Sequence, residues 1–382
     1  MMSGMDQRSE SETERSSASL PAEDVWIKTA HDDDRETGWR GANELTLTRG
    51  GSSVVDLLRA EIPDRVGPYL LGPMVGRGAM SVVCEALDVS RGEHLALKIA
   101  PLECPEAVAA VVSEAEALGR LDHPNIVRVK GLGRDARFMW IATDLIDGRS
   151  LAEIIKERNN PLEEGEVLVL GDDDSQITTA GLGSGNEAGA LLTSEDLRKF
   201  MGWFRDLADA LATMHEAGLI HRDISPKNIM ISREGVPYLI DFGLSLESTN
   251  NSGELGRLSG TVPYMSPEQT LGGFVSLTPR SDIYSLAITF LEVLAGRRIV
   301  SGSGRESLLQ EIAFGRLPRA SRIIPGLPRA LDPIFEKALA RHPRDRYARA
   351  SDLAADIEAW VESEPPRRPG GWASPKLPRD PR

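Results

Sequence analysis

Only two cysteines occur in 382 residues, Cys84 and Cys104, too few for a disulfide framework and without metal-ligand spacing. A reducing compartment suits them. No run of eighteen apolar residues exists, so no membrane-spanning helix is expected. Residues 1–15 alternate acidic and hydroxyl side chains without an apolar centre, which argues against a secretory signal and makes the cytoplasm the expected location. Positive charge is in short supply. Forty-four Lys and Arg face 58 Asp and Glu, a formal net charge of −14, so nucleic acid and anionic membranes are not expected partners. No internal repeat is visible. No Gly-Lys-Ser or Gly-Lys-Thr phosphate loop occurs, which excludes the P-loop class of nucleotide-binding proteins.

What is present is a globular composition, 41% apolar and 27% charged, on a chain long enough for a two-lobed unit with appendages. Residues 1–66 hold fourteen acidic and eight basic residues but few branched apolar ones. That is too little apolar surface to offset ordering entropy, and a mostly disordered acidic arm is expected. Trp26 and Trp39 stand out there, as incidental aromatics or as a docking patch for a partner or for the protein's own surface. From Tyr69 the pattern changes. Apolar runs at 69–75, 82–87 and 94–100, separated by Gly-containing turns, predict three antiparallel strands. Pro105 opens a helix whose Val108, Val111, Val112, Ala115 and Leu118 keep a 3.6-residue period. Residues 126–129 and 138–143 supply two more strands.

Beyond residue 147 the chain is mainly helical. Leu197, Phe200, Met201, Phe204, Leu207, Leu211 and Met214 line one face of a long amphipathic helix. Residues 283–294 are apolar nearly all round, as a central helix should be, with Asp282 at the expected N-cap. Two further helices are expected at 331–340 and 353–361. Residues 161–193 form an insertion with room for a small hairpin. From Pro161 to Asp196 nine acidic residues meet no basic one, but the spacing is not that of a calcium-binding loop. The last twenty residues, with six prolines and five basic residues, read as a flexible tail.

Three motifs carry chemistry. Residues 221–228 read His-Arg-Asp-Ile-Ser-Pro-Lys-Asn, and Asp241-Phe242-Gly243 begins thirteen residues after Asn228. Two aspartates and an asparagine on adjacent loops suit a hydroxyl nucleophile and Mg²⁺-bound phosphates. Between the first two strands, Gly76-Arg77-Gly78-Ala79-Met80-Ser81-Val82-Val83 is a Gly-rich loop able to lay backbone N–H groups close over a triphosphate, although a plain hairpin turn has the same pattern. Lys98, in Ala96-Leu97-Lys98-Ile99, sits among apolar residues and needs a carboxylate partner. Glu114, sixteen residues on and in the helix, is the best candidate, since Glu116 points about 200° away around the helix axis.

In order and spacing these motifs resemble the catalytic core of the eukaryotic-type (Hanks-type) serine/threonine protein kinases, in bacterial form, over roughly residues 68–362. The resemblance implies an α+β, two-lobed protein kinase fold. A five-stranded antiparallel sheet and one helix make a small lobe at about 67–143, and a mainly helical large lobe covers about 148–362. It implies ATP and Mg²⁺ as cofactors and proteins as substrates. Asp223 would orient the substrate hydroxyl as base, Lys98 would anchor phosphates, and Asn228 and Asp241 would ligate the metal. Nucleotide would lie against Val75, the loop from Gly76 to Ser81, and Glu114-braced Lys98. The hinge Asp144-Leu145-Ile146 and Thr143 would stand behind it. Val83, Ala96 and Met230 would wall the pocket, though ordinary core would use the same residues.

The usual lysine two residues after the catalytic aspartate is replaced by Ser225, and Lys227 could make that phosphate contact instead. Arg222 would pair with a phosphate on the activation segment, residues 244–266, where Thr249, Ser248 and Ser252 are the candidate autophosphorylation sites. Thr261 would contact Asp223. Glu268, in Ser266-Pro267-Glu268, would pair with Arg346. His221 and Phe242 would be packing residues and His215 a plain helix histidine. The expected activity is phosphoryl transfer from ATP to protein Ser or Thr. The alternatives are a small-molecule kinase of the aminoglycoside type, which would need neither Arg222 nor the Gly260–Glu268 segment, and an inactive scaffold, which would lack one of the four key side chains.

Overall fold

The computed structural model describes residues 27–29, 62–78, 80–159, 192–242, 261–271 and 277–363. The expected insertion hairpin, the autophosphorylation sites, the basic tail and most of the acidic arm lie outside these residues.

Alternating burial, most regular over residues 82–88, builds the centre of the small lobe. Strands β1 (Ile27–Thr29), β2 (Arg65–Val66), β3 (Tyr69–Arg77), β4 (Val82–Asp88), β5 (Glu93–Pro101), β6 (Val129–Arg134) and β7 (Phe138–Asp144) form one sheet in the order β1-β6-β7-β5-β4-β3-β2. Its five central strands are antiparallel, as expected. Two short strands extend it: β2 pairs antiparallel with β3, and β1 pairs in parallel with β6. One face is closed by Val82, Cys84, Leu95, Leu97, Ile99 and Trp140, all at most 3% exposed. On the other face the helix α1 (Pro105–Leu118) packs through Ala107, Val111, Ala115 and Leu118.

The strand expected at 126–129 lies later, at Val129–Arg134. Residues 123–127 instead run beside the large lobe. Ile126 bridges Leu239 in parallel, Leu239 N–H donates to Asn125 O at 2.8 Å, and the Asn125 side-chain amide donates to Pro237 O at 2.8 Å. Apolar Ile126 and Val127 read as sheet because burial at a lobe junction leaves the same signature as burial in a sheet.

A second sheet, β8 (Gly148–Ser150), β9 (Ile229–Ser232) and β10 (Pro237–Leu239), opens the large lobe, with helix α2 (Leu151–Asn159) after β8. Helix α3 (Ser194–Glu216) starts at a capping box in which Thr193 Oγ1 accepts from Asp196 N at 3.0 Å and Thr193 N–H donates to Asp196 Oδ2 at 3.4 Å. Its apolar stripe is buried as expected, and Phe204 stacks on Phe290 with ring centroids 4.8 Å apart. The rest of the lobe is α4 (Pro267–Thr270), α5 (Pro279–Ala295), α6 (Arg305–Phe314), α7 (Ala320–Ile323), α8 (Asp332–Ala338) and α9 (Ala350–Ser363). Helix α5 is central: every residue from Ser281 to Leu294 is buried. It stops at Gly296, whose left-handed φ of +63° a side chain would resist.

Asp282 is not the N-cap. Thr278 takes that place with Pro279 in the first helical turn, so Asp282 lies inside the helix with its carboxylate buried. One core runs from α1 through residues 126–127 into α3 and α5, and the outer face of the small sheet has its own.

Candidate active site

Strand β5 presents the first site residue. Leu97 and Ile99 are 0% exposed on the outer face, so the pleat turns Lys98 and Ala96 toward the lobe junction. Register puts Val83 opposite Lys98 and Thr143 opposite Ala96, so these four share that face. Val83, Ala96 and Thr143 are only partly buried there, as are Leu145, Ile146 and Met230, so they border open space and are not sealed core. Val75 is exposed. In the Gly-rich loop Gly76 pairs with Val83, Gly78 N–H donates to Ser81 O at 2.8 Å, and Arg77 and Gly78 are exposed. Met80 is partly buried and Ser81 buried, while Ala79 lies outside the described residues.

Lys98 Nζ lies 2.6 Å from Glu114 Oε2 and also contacts Asp241 Oδ1. Burial alone would lower the pKa of this ammonium, but the two carboxylates outweigh it and hold Lys98 above its usual value. Burial pushes the Glu114 carboxyl up, against the pull of Lys98. Loss of hydration opposes charge on Asp241, yet Lys98 holds its carboxyl below the usual range. Glu114 Oε1 also accepts from Phe242 N–H at 3.4 Å, so α1 touches both Lys98 and the Asp241 loop. Glu116 is exposed, as the helical period requires.

The second group sits on the loop before β9. Asp223 Oδ1 accepts from Thr261 N–H at 2.8 Å, and Oδ2 accepts from the Asn228 amide at 3.0 Å. Lys227 Nζ is 3.4 Å from the same Oδ2, with its side chain 57% exposed. Ser225 is fully buried, so the residue at the departing position does not face the junction. Thr261 meets Asp223 through its main chain; its hydroxyl has no hydrogen-bond partner among the described residues. Ile240 N–H donates to Asn228 O at 3.0 Å, tying this loop to the one that carries Asp241.

Both loops are held in unusual backbone. Arg222 and Asp241 have φ of +70° and +54°, the left-handed region that non-glycine residues seldom adopt. Asp282 holds the first in place: its carboxylate accepts from His221 N–H at 2.8 Å and Arg222 N–H at 2.9 Å and lies 2.9 Å from His215 Nε2. His215 is therefore no plain helix histidine. His221 stacks on Phe242 at 4.9 Å, and burial pushes its pKa down. Arg222 Nε is buried without a partner among the described residues.

Asp282 is the residue that sequence reasoning misplaced, by one helical turn. The available signal was an acid inside an otherwise apolar helix, which demands a buried partner. Behind the site, Arg346 grips Glu268 with two bonds of 2.7 Å, and Ser281 Oγ adds a third at 2.7 Å. Burial opposes ionisation of Glu268, but Arg346 outweighs it and its carboxyl titrates below the usual range.

The donor set fits a divalent metal ion bound with a nucleotide. Asn228 spends its amide N–H on Asp223, which leaves its carbonyl oxygen available, and Asp241 engages Lys98 through one oxygen. These are hard oxygens on neighbouring loops. No cluster of three or more His, Cys, Asp or Glu that could hold a metal ion occurs among the described residues.

Residues 69–356 match the model of the protein kinase domain. The chain is 32% identical over 304 residues to the serine/threonine-protein kinase PknL of Mycobacterium bovis, covering 77% of this chain and 66% of that one. It is 31% identical to PknH of Mycobacterium tuberculosis over 78% of this chain and 43% of the relative. Against PknE of M. bovis the identity is 30%, over 77% and 46%. It thus spans two-thirds or less of the length of these relatives. The chain belongs to the protein kinase family.

Proposed function

We propose that this protein is an ATP- and Mg²⁺-dependent protein serine/threonine kinase. The observation that carries the reading is the convergence of Lys98, Glu114, Asp241, Asn228 and Asp223, drawn from four separate stretches of chain, at one lobe junction. Phosphoryl transfer asks chiefly for positioning and charge neutralisation, and each of these side chains supplies one of the two. Lys98, fixed by Glu114, anchors phosphate oxygens. Magnesium, when bound, neutralises phosphate charge, and Asn228 and Asp241 are the oxygens that would hold it. Asp223, fixed by Thr261 and Asn228, accepts a hydrogen bond from the substrate hydroxyl and aims its oxygen at the γ-phosphorus. Lys227, the exposed cation beside Asp223, replaces the lysine that Ser225 lacks. The backbone of residues 144–146 receives adenine, and the Gly-rich loop covers the phosphates.

Regulation follows from Arg222. A buried guanidinium nitrogen without a partner among the described residues is costly, and a phosphate on Thr249, Ser248 or Ser252 would satisfy it. The acidic stretch at 161–193 suits recruitment of basic protein substrates. Two free cysteines and the need for ATP favour a cytoplasmic working side; no described helix is long and apolar enough to cross a membrane.

Incubation with γ-labelled ATP, magnesium and a basic test protein checks the reading. Label on serine and threonine is expected. Label only on tyrosine, or only on an aminoglycoside offered in parallel, would overturn it.

A further inference from the structure

Strand β6 carries an irregularity where it runs beside the end of β7. Val129 pairs with Thr143 and Gly131 with Ala142, so β6 spends one residue more than β7 over this stretch, and Lys130 is the extra one. A bulge of this kind re-aims a side chain. Here it sends Lys130 to the end of β7, where its Nζ lies 2.9 Å from Asp144 Oδ1 and 2.8 Å from Glu93 Oε1. Glu93 opens β5, two residues before Leu95, which stands opposite Asp144. The second Asp144 oxygen, Oδ2, accepts from Arg128 N–H at 3.4 Å, and Asp144 N–H donates to Arg128 O at 3.1 Å. Asp144 is therefore held from β6 through both its side chain and its main chain.

The Lys130, Asp144 and Glu93 side chains are 31%, 32% and 39% exposed. Hydrogen bonds to Glu93 and to Asp144 hold the ammonium above its usual pKa. The ion pair at the far end of the hinge differs. Arg233 Nε lies 2.9 Å from Asp147 Oδ1, but those side chains are 76% and 69% exposed, so water screens the pair and it counts for little. Lys130 also does more than attract. Two carboxylates held by one ammonium lie within about 6 Å of each other, and without the cation they repel. That repulsion acts on Asp144, the first residue of the hinge.

We propose that Lys130 is a positioning residue for nucleotide recognition. It neutralises Glu93 and Asp144 together and so fixes the start of the backbone stretch 144–146, a role that rests on the reading that this stretch receives adenine. Its effect is on the base; anchoring of the phosphates stays with Lys98.

Equilibrium binding of ATP and of adenosine to the full chain, beside initial rates at saturating protein substrate, tests this. In Lys130→Met both ligands should bind about threefold more weakly, while kcat and the melting temperature stay at their wild-type values. Threefold is about 0.65 kcal/mol, within the range of partly exposed ion pairs. Adding Glu93→Gln to Lys130→Met removes one of the repelling charges and should recover most of the loss. Lys130→Arg should keep wild-type affinity, and Arg233→Ala should change neither ligand. Wild-type adenosine affinity in Lys130→Met, or a double variant weaker than the single one, would overturn the proposal. So would loss of ATP affinity with adenosine affinity kept, which would make the lysine a distant charge acting on phosphate. Adenosine that fails to compete with ATP on the wild-type chain would instead sink the hinge reading itself, and the proposal with it.

Discussion

Glu268 and Arg346 illustrate what a buried ion pair demands of single residues. Arg346 is 3% exposed, closes two bonds on Glu268 and packs over the Tyr284 ring at 4.9 Å, where burial pushes the phenol to about 12. Removing one partner leaves the other charge buried alone, which costs about 3–5 kcal/mol. The folded-state pKa of Glu268 is depressed, so its contribution to stability is complete above the unfolded value of about 4.3 and is lost as pH falls through the folded value. Glu268→Gln should therefore melt well below the wild type at pH 7, with the gap narrowing as the pH drops below about 4.3. Thermal melts from pH 7 to pH 3 check this; a gap independent of pH would contradict it. This pair was legible in the sequence because both members sit in short motifs with fixed neighbours. So was Lys98 with Glu114, the candidate that the helical period favours over Glu116. The sequence left open which residue makes the contact missing at Ser225; in the structure Ser225 is fully buried and Lys227 is an exposed cation beside Asp223.

At the scale of elements, period and alternation did most of the work. Strands β4 and β5 alternate and helices α1 and α3 keep a 3.6-residue period, while α5 is apolar nearly all round and β3 is apolar in sequence yet mostly exposed. What escaped has a physical reason each time. Residues 123–127 are joined to β10 by main-chain and side-chain hydrogen bonds that leave no mark on hydropathy. Strand β1 is three residues long in a polar arm, and its partner lies a hundred residues away. Asp282 was placed one turn early because acids favour helix starts, and the Thr278-Pro279 start four residues before it outranks that preference. The consequence can be measured. Asp282→Ala strips the acceptor from two backbone N–H groups and from His215, a loss of about 3 kcal/mol or more. It also frees Arg222 from its φ of +70°, so phosphotransfer should fall at least tenfold in protein that is still folded. Wild-type melting and wild-type turnover together would contradict this account of α5.

At the scale of the whole molecule, the fold is a device for bringing distant loops to one junction. The small-lobe sheet supplies Lys98, α1 supplies Glu114, and the loops around β9 and β10 supply Asp223, Asn228 and Asp241. The core that runs from α1 into α3 and α5 holds the two lobes in register, so the site is a property of packing and not of any one motif. Sequence spacing indicated which residues belong together; the left-handed backbone at Arg222 and Asp241 and the Asp282 anchor explain how they stay together, and neither could be read from residue type. The most direct measurement is the effect of Asp223→Asn on turnover and on nucleotide binding, made on the same sample with magnesium present. The account requires the phosphorylation rate of a protein substrate to fall by about a hundredfold or more, within the range general-base groups supply, while ATP affinity stays within about twofold. Turnover equal to wild type in that variant would contradict it.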